Sequence, residues 1–171
     1  VTSVTKSNAQ GFGLVLWDRV FREVAAEYPD VATDSLLVDA AAMDFVRRPD
    51  TFDVVVASNL FGDILSDLSA IVTGSIGLAP SANLDPSRKS PSLFEPVHGS
   101  APDIAGKLWS NPMATVLAAA MMMEHLGEAE IAASMEKAVR DTLADGGVLT
   151  RDLGGQASTA EVAEALATRS F

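Results

Sequence analysis

The chain has 171 residues, of which 48% are hydrophobic and 20% are charged, a balance typical of folded globular proteins that excludes disorder as the default. Twelve Lys and Arg residues against 23 Asp and Glu residues give a net charge of −11. This charge argues against nucleic acid or an anionic membrane surface as the main partner, because binding to phosphates needs surplus cations. The absence of cysteine excludes disulfides, zinc–thiolate sites and a cysteine nucleophile.

The sequence shows no pattern of a membrane span or a signal peptide. The longest apolar run, Met113 to Met123, is about half the roughly 20 residues that a bilayer-spanning helix needs. The chain opens at Val1 with Val-Thr-Ser-Val-Thr, which has no start methionine, no charged region and no apolar region of a signal peptide. We therefore expect the sequence to be part of a longer one.

The first 72 residues alternate between strand and helix patterns. The predicted elements are a β-branched stretch at 1–5, an amphipathic helix at 9–28, a strand at 35–38, a helix at 40–46, a strand at 54–56 and a helix at 61–72. This order indicates a mostly parallel α/β sheet. Ligands of such sheets collect at the carboxyl ends of the strands, so Asp39 and Asn59, just past two predicted strand ends, lie where chemistry is expected.

The second part of the chain begins with a stretch rich in glycine and proline. Residues 73–112 predict loops with one short strand at Leu93 and Phe94, and long loops inside compact domains tend to be functional. Three helices follow, predicted at 111–126, 128–145 and 158–168. Asn111 is expected to cap the first of these helices, with Pro112 at its first helical position.

Asp63 and Asp67 lie four residues apart in the predicted helix 61–72. Their carboxylates therefore project from one face, one turn apart. One interpretation is that they hold a hard divalent cation, which takes one or two carboxylates together with substrate oxygens and water. The alternative is a solvated helix face, and the residues themselves leave both open.

Two further segments contain candidate catalytic or ligand-binding residues. Lys6 follows the first β-stretch and is either an exposed surface lysine, a cation that holds a carboxylate, or a proton acceptor. The stretch from Phe94 to Asp103 places His98, small residues and Asp103 within one loop. Backbone amides and a carboxylate in such a loop suit a nucleoside, with the amides facing phosphate or ring edges and the carboxylate facing a ribose diol.

Five segments resemble, in family order, the motif series of the β-decarboxylating dehydrogenases, which include the isocitrate and isopropylmalate dehydrogenases. Softer features, among them Val15-Leu16-Trp17-Asp18, are most similar to the tartrate and D-malate dehydrogenase branch. The five segments are Lys6-Ser7-Asn8, Val38-Asp39-Ala40-Ala41-Ala42-Met43, the stretch from Ala57 to Asp67, the stretch from Gly74 to Ala82, and the stretch from Phe94 to Lys107.

The resemblance implies an isopropylmalate-dehydrogenase-like α/β fold with a mostly parallel sheet flanked by helices. The fold would be incomplete here, because family members are about twice as long and the N-terminal half is absent. Residues 1–74 would then belong to the smaller, dimer-forming domain with the metal site, and residues 75–171 would complete the larger domain with the adenosine-binding loop.

The resemblance also implies site roles, with NAD and either Mg²⁺ or Mn²⁺ as cofactors. Lys6 would take part in proton transfer at the substrate hydroxyl. The metal ligands would be Asp39, contributed across a dimer interface, together with Asp63 and Asp67. The implied cofactor-binding residues are Asn8 near the nicotinamide, His98, Gly99, Ser100 and Ala101 in the adenosine loop, Asp103 at the ribose hydroxyls and Asn111 at the adenine.

The sequence departs from the family pattern within the adenosine loop. The family usually continues Ala-Gly-Lys with Gly-Ile-Ala-Asn-Pro, whereas Leu108-Trp109-Ser110 precede Asn111 here. The Leu-Trp pair is interpreted either as a change in nucleotide affinity or as the mark of a poorly ordered loop.

The function expected of the full-length protein is the oxidation, with decarboxylation, of a small 2-hydroxy dicarboxylate such as tartrate or D-malate. The first alternative is a 3-isopropylmalate dehydrogenase, and the alternative from another class is a non-catalytic association module. A third hypothesis, an aspartate phospho-acceptor at Asp39, explains neither the Asp63–Asp67 pair nor the loop at His98. We expect a homodimer or higher homo-oligomer in the cytoplasm, with no nucleic-acid or membrane partner, and no activity from these 171 residues alone.

Overall fold

Strand β1 (Thr2–Thr5) is the centre of a three-stranded parallel sheet in the computed structural model, which describes residues 1–170. It lies between β2 (Asp34–Leu37) and β3 (Val55–Val56). Thr5 pairs with Leu37 in the register with β2. The last three residues of β1 are buried, as expected for a parallel strand covered on both faces.

Three helices accompany this sheet: α1 (Gly13–Ala25), α2 (Val38–Arg47) and α3 (Asn59–Val72). They contribute apolar side chains to a common core with β1, and burial of this apolar area is what holds the unit together. The predicted α/β class with a parallel sheet and flanking helices is therefore confirmed. The core residues are Val4, Leu14, Ala41, Phe61 and Leu65.

The predicted helix starts in this part of the chain differ from the observed ones by two residues for α2 and α3 and by four residues for α1. Helix α1 begins at Gly13 rather than residue 9, because the carbonyl of Lys6 accepts hydrogen bonds from the amides of Ala9 and Gln10 and forms a turn there. Helix α2 begins directly after β2, at Val38. Asp39 therefore lies in the first turn of a helix, where a carboxylate is favoured by the helix dipole, and not in a loop.

The chain divides into two compact units, Val1–Val72 and the part from Thr73 onward. The assignment of residues 1–74 and 75–171 to the two domains of the family stays a prediction. The second unit opens with a 3₁₀ turn at Ile76–Leu78 and an antiparallel pair of strands, β4 (Pro80–Asn83) and β5 (Leu93–Pro96).

The sequence predicted only a short strand at Leu93 and Phe94, so β4 was missed. Its residues, Pro-Ser-Ala-Asn, are not strong strand formers, but Pro80 stands first in β4, where a proline is tolerated. The pairing with β5 supplies the hydrogen bonds that the local sequence does not favour.

Helices α4 (Met113–Leu126), α5 (Ala129–Asp145) and α6 (Thr159–Ser170) complete the second unit. They match the predicted helices to within two residues at each end. Within residues 1–170, no helix is both long and apolar enough to cross a bilayer. The core of the unit consists of Met113, Ala138, Val139, Val162 and Leu166.

Candidate functional site

Lys6 and Asp39 form an ion pair at one edge of the parallel sheet, with Lys6 Nζ 2.6 Å from Asp39 Oδ1. Lys6 directly follows β1, and Asp39 stands two residues after β2. Because Thr5 is opposite Leu37 and the strands are parallel, their carboxyl ends bring the two side chains together. The hydrogen bond from Lys6, with a backbone hydrogen bond, holds the pKa of Asp39 below its ordinary value.

The exposure of this pair leaves it open to a ligand. The side chain of Lys6 is 27% exposed and that of Asp39 is 63% exposed. Lys6 is therefore partly screened from water, while the carboxylate of Asp39 still faces solvent. Asn8 lies exposed in the turn that follows Lys6, and nothing else in this turn indicates a ligand.

Asp63 and Asp67 lie one turn apart on the exposed side of α3. The opposite side of this helix is buried through Phe61, Leu65 and Ala70, so packing fixes the direction in which both carboxylates project. Neither carboxylate takes part in an ion pair within the described part of the chain. Two like charges at this spacing destabilise a helix slightly, and a cation between them would remove that cost.

The three predicted metal ligands do not gather within one copy of the chain. Among residues 1–170 there is no group of three or more His, Asp or Glu residues that could hold a metal ion. The donor chemistry nevertheless fits, because Mg²⁺ and Mn²⁺ prefer carboxylate oxygens and are often held by only one or two of them with waters. The Asp63–Asp67 pair thus fits one side of such a site, and the sharing of Asp39 from a second copy stays a prediction.

The second unit contains a cavity of about 490 Å³ and a neighbouring one of about 320 Å³. The larger is lined by residues 75–77, by parts of the loop 98–111 and by residues 151 and 152. Of the predicted adenosine-loop residues, His98, Gly99 and Ala101 line both cavities, Asn111 lines the larger and Ser100 the smaller. Asp103 is exposed and lines neither.

His98 has one ring nitrogen without a partner. Its Nδ1 lies 3.1 Å from the carbonyl oxygen of Gly99, and its Nε2 is buried with no hydrogen-bond partner among the described residues. Buried polar atoms are nearly always paired. A free imidazole nitrogen on a residue that lines both cavities indicates a place for a ligand atom or a water.

Asp152 joins three segments around the larger cavity. Its carboxylate accepts hydrogen bonds from Ser75 Oγ at 2.5 Å, Thr150 Oγ1 at 2.5 Å and Asn111 Nδ2 at 3.0 Å. Burial raises the pKa of this carboxyl, but the hydrogen bonds from the three side chains and from the backbone together outweigh burial, so the pKa lies below its ordinary value. The ionised carboxylate is therefore the form that the surrounding fold stabilises.

Both the oxygen and the nitrogen of the Asn111 side-chain amide form hydrogen bonds within the fold. Its Oδ1 accepts from the backbone amide of Met113, the first residue of α4, and its Nδ2 donates to Asp152. The N-cap of α4 is Pro112, so the prediction of Asn111 as the cap was one residue too early. The residue is only 5% exposed. The 3₁₀ turn packs tightly against it, since a Cβ on Gly77 would lie 2.8 Å from both Asn111 Cβ and Asp152 Oδ2. Because these bonds use Oδ1 and one amide hydrogen, the predicted contact of Asn111 with adenine would have to use its backbone groups or its second amide hydrogen.

The loop that contains Leu108 and Trp109, where the sequence differs from the family pattern, is held in place by contacts with Thr159 and Arg151. Thr159, at the start of α6, donates its amide to the carbonyl of Leu108 at 2.9 Å and its hydroxyl to the carbonyl of Ser110 at 2.6 Å. The guanidinium of Arg151 lies 3.8 Å from the centre of the Trp109 ring. Leu108 has a positive φ of 54°, a strained conformation that these contacts hold in place.

Sequence reasoning missed Ser75, Arg151 and Asp152 as wall residues of the cavity. Ser75 belongs to a segment that already carried the family resemblance, but no role followed from it. The only local signal at Arg151 and Asp152 is a charged pair shortly before Gly154 and Gly155. Their function depends on contacts with residues far away in the sequence, which a local pattern does not contain.

Tartrate and isopropylmalate enzymes are among the known proteins of similar sequence. A probable tartrate dehydrogenase/decarboxylase from Bacillus subtilis is 53% identical over 169 residues, which are 99% of this chain and 48% of that protein. A 3-isopropylmalate dehydrogenase from Frankia casuarinae is 54% identical over 171 residues, with 99% of this chain and 48% of that protein covered. The chain spans about half the length of the curated relatives it matches.

Solved structures of two similar proteins also match almost the whole of this chain. The isocitrate dehydrogenase from Methylococcus capsulatus superposes with a TM-score of 0.94 at 46% identity, covering 99% of this chain and 50% of that one. The TT0538 protein from Thermus thermophilus superposes with a TM-score of 0.92 at 43% identity, covering 98% and 34%. The family model for isocitrate/isopropylmalate dehydrogenase matches residues 1–166, and the chain therefore belongs to the isocitrate/isopropylmalate dehydrogenase family.

Proposed function

We propose that the chain is part of an NAD-dependent dehydrogenase that requires Mg²⁺ or Mn²⁺ and oxidises, with decarboxylation, a small 2-hydroxy dicarboxylate such as tartrate or D-malate. The observation that carries this proposal is the Lys6–Asp39 pair at the carboxyl ends of two neighbouring parallel strands. A ligand site is expected at this edge of an α/β sheet. A lysine and a carboxylate in contact there offer acid–base chemistry.

Lys6 is proposed to accept the proton of the substrate hydroxyl, directly or through water. In the ion pair Lys6 is an ammonium, so it first releases a proton to water. The neutral amine then takes the hydroxyl proton, and Asp39, 2.6 Å away, stabilises the ammonium that forms again. The partial exposure of Lys6 leaves it accessible to a substrate. General-base assistance of this kind contributes about 10²- to 10⁴-fold to a rate.

Asp63 and Asp67 are proposed to hold the divalent ion, with Asp39 of a second copy as the third ligand. When bound, such an ion supplies Lewis-acid stabilisation of negative charge that develops on oxygen. The two α3 carboxylates would hold the divalent ion in a fixed position. Packing of the opposite helix face fixes the direction in which they project. Their exposure leaves room for a second copy of the chain to approach.

The cavity at His98 is proposed to bind the adenosine half of NAD, and Asn8 is proposed to lie near the nicotinamide. Backbone amides of His98, Gly99, Ser100 and Ala101 are suited to polar atoms of the nucleotide. Asp103 is proposed to accept hydrogen bonds from the ribose hydroxyls. Its carboxylate would repel a 2′-phosphate, which favours NAD over NADP.

A homodimer or higher oligomer is part of the proposal, since the metal site needs a second copy. Exposed apolar side chains on α1, on α2 and in the turn before α1 support the oligomer, because exposed apolar surface favours association. A cytoplasmic location, where NAD is available, completes the proposal. The most exposed of these side chains are Phe12 (94%), Met43 and Val46.

The choice of tartrate or D-malate over 3-isopropylmalate as the substrate is the most specific part of the proposal. Similar identities of 53% and 54% to a tartrate and to an isopropylmalate enzyme do not separate the two. The segments 15–18 and 82–86 resemble the tartrate and D-malate branch. Within the first of them, Trp17 donates from Nε1 to Ser3 Oγ at 2.9 Å, which ties this feature to the sheet.

The test is a steady-state comparison of three substrates with the whole protein, meaning this chain with any sequence that accompanies it. Tartrate, D-malate and 3-isopropylmalate are each assayed with NAD and Mn²⁺, and with NADP in place of NAD. We expect higher kcat/KM for tartrate or D-malate and for NAD. A clear preference for 3-isopropylmalate overturns the branch, and a lack of oxidation of all three overturns the activity.

A further inference from the structure

Trp109 lines both of the neighbouring cavities at the loop 98–111. It is one of only two tryptophans in the chain, and it stands where the sequence departs from the family pattern. Its ring is not among the residues that form or flank the apolar core of this unit. The indole is therefore part of a cavity wall rather than of the packed interior.

Arg151 holds one part of this wall in place. Its Cζ lies 3.8 Å from the centre of the Trp109 ring, which is stacking distance for a planar guanidinium on an indole. Lys107 also approaches the ring, but its Nζ is 4.8 Å from the centre and the residue is exposed and lines neither cavity. Arg151 thus fixes the ring, whereas Lys107 is free to leave it.

The backbone around Trp109 is fixed as well. Thr159 hydrogen-bonds the carbonyls of Leu108 and Ser110, one residue before and one after the indole. A side chain that is held by its backbone neighbours and by a stacked cation loses little entropy when it binds a ligand. Such preorganisation is what a binding wall needs.

From this arrangement we infer that Trp109 stacks on the purine base of the bound nucleotide and that Arg151 is the positioning residue that holds its indole. This inference rests on the proposed function, because it assumes that the cavity binds a nucleotide. It assigns to this chain's own Trp109 a share of the nucleotide affinity and specificity for a flat aromatic base. Stacking on an aromatic side chain does not depend on a hydrogen-bond pattern, so other purine bases should bind similarly.

The experiment measures the binding of ADP-ribose and of ribose 5-phosphate, which has no base, to the whole protein by calorimetry. Trp109→Ala is expected to weaken ADP-ribose binding by about tenfold to one hundredfold and to leave ribose 5-phosphate binding unchanged. Trp109→Phe keeps an aromatic face and should stay within about threefold of the parent. Arg151→Lys keeps the charge but loses the planar stack, so it should weaken ADP-ribose binding by a smaller factor than Trp109→Ala.

Fluorescence gives a second readout that does not depend on activity. In a Trp17→Phe background, Trp109 is the remaining tryptophan of this chain, and base stacking should change its emission when ADP-ribose is added but not when ribose 5-phosphate is added. The Trp17→Phe substitution lies in the first unit and is also the matched control for losing an indole, since it should leave ADP-ribose affinity as in the parent.

The outcomes separate this inference from the proposed function. If the parent binds ADP-ribose and Trp109→Ala binds it equally well, stacking is overturned while the nucleotide site stands. If Trp109→Phe loses as much affinity as Trp109→Ala, the aromatic face is not what matters and the inference is likewise overturned. If the parent does not bind ADP-ribose at all, the proposed nucleotide site fails, and the inference fails with it.

Discussion

Asn111 and Asp152, 41 residues apart in the sequence, are joined by a hydrogen bond of 3.0 Å from Nδ2 to Oδ2. The same carboxylate accepts from Ser75 and Thr150, so one side chain ties together the 3₁₀ turn, the start of α4 and the segment before α6. These three segments form one part of the wall of the larger cavity, and the loop that begins at His98 forms the rest. Its shape therefore depends on the ionised carboxylate of Asp152.

Substitution of Asp152 by Asn should lower both the stability of the fold and the affinity of the cavity for ADP-ribose. An asparagine places an amide donor or a neutral carbonyl where three donors now meet a carboxylate. Hydrogen bonds to a charged group are worth about 1.5–3 kcal/mol each, and we expect a loss of roughly 2 kcal/mol in the free energy of unfolding. Urea unfolding and calorimetry with ADP-ribose check the two effects.

The matched control for Asp152→Asn is Asp141→Asn. Asp141 accepts from a single residue, Lys137, one turn away on the exposed side of α5. Surface pairs of this kind contribute little, so the control should leave both measurements unchanged. Equal behaviour of the two variants would show that Asp152 does not organise the wall.

The stability of the fold should depend on pH through Asp152. Its pKa lies below the ordinary value of 3.8, so the folded state favours the ionised form more than the unfolded state does. The contribution is therefore fully present above about pH 4 and is lost as pH falls through the folded pKa. We expect the difference in unfolding free energy between the parent and Asp152→Asn to shrink between about pH 6 and about pH 3.

Other carboxylates with lowered pKa values, such as Asp44, Asp85 and Glu161, act in the same direction. The parent and the variant share these groups, so subtraction removes them. Urea titrations at the two pH values give the difference directly. A difference that stays constant or grows on acidification would contradict the assignment.

Gly155 should not tolerate a side chain. A Cβ at this position would lie 1.8 Å from the backbone oxygen of Leu149, and backbone on both sides would have to move. Because this segment carries Thr150 and Asp152, Gly155→Ala should cost at least about 3 kcal/mol of stability and weaken ADP-ribose binding as well. Thermal unfolding of the variant tests this.

Gly147→Ala is the control for that substitution. A Cβ at Gly147 meets only Asp145 Oδ2, at 3.5 Å, which is an ordinary van der Waals contact. This variant should unfold within a few degrees of the parent. A Gly155→Ala variant as stable as Gly147→Ala would mean that the loop 149–155 moves without cost.

Periodicity was enough to predict most of the helices. Helices α4, α5 and α6 match their patterns because their ends are marked by local residues, such as Gly146 in a left-handed conformation after α5 and the Ser158–Glu161 capping box before α6. Strand β4 was missed because its stability comes from pairing with β5. The four residues of β4 alone do not indicate that they pair with a later segment of the chain.

The site was predictable to a different degree. The sequence placed Lys6 and Asp39 just past two predicted strands but did not pair them. Only the structure shows that these strands are neighbours and that the two side chains therefore meet. The cavity wall of Asn111 and Asp152 does not follow, because it needs the position of a residue 41 places further along the chain. The metal ligands remain a prediction, since a single copy does not bring Asp39 to Asp63 and Asp67.

Asp63→Asn and Asp67→Asn should each weaken Mn²⁺ binding to the whole protein by about tenfold or more. The two carboxylates face solvent from one side of α3, and a hard divalent ion loses one of its few charged ligands in either variant. Calorimetric titration with MnCl₂ measures the affinity, and Asp141→Asn is the control for removing a surface carboxylate. Unchanged Mn²⁺ affinity in both α3 variants would refute the metal role.

Lys6→Met should reduce kcat by about 10²- to 10⁴-fold, the range expected for the loss of a general base. Methionine keeps the length and apolar stem of the side chain, and Lys6 is only partly buried, so the fold should stay intact. The assay uses the best of the three 2-hydroxy acids with NAD and Mn²⁺ at saturation, so that changes in binding do not hide changes in turnover. The matched variant is Lys137→Met, which also breaks a lysine–aspartate pair but on the exposed side of α5, and which should turn over as the parent does. If Lys6→Met keeps kcat within about threefold of Lys137→Met, Lys6 does not accept the proton, and the Lys6–Asp39 pair is a structural contact of the sheet edge.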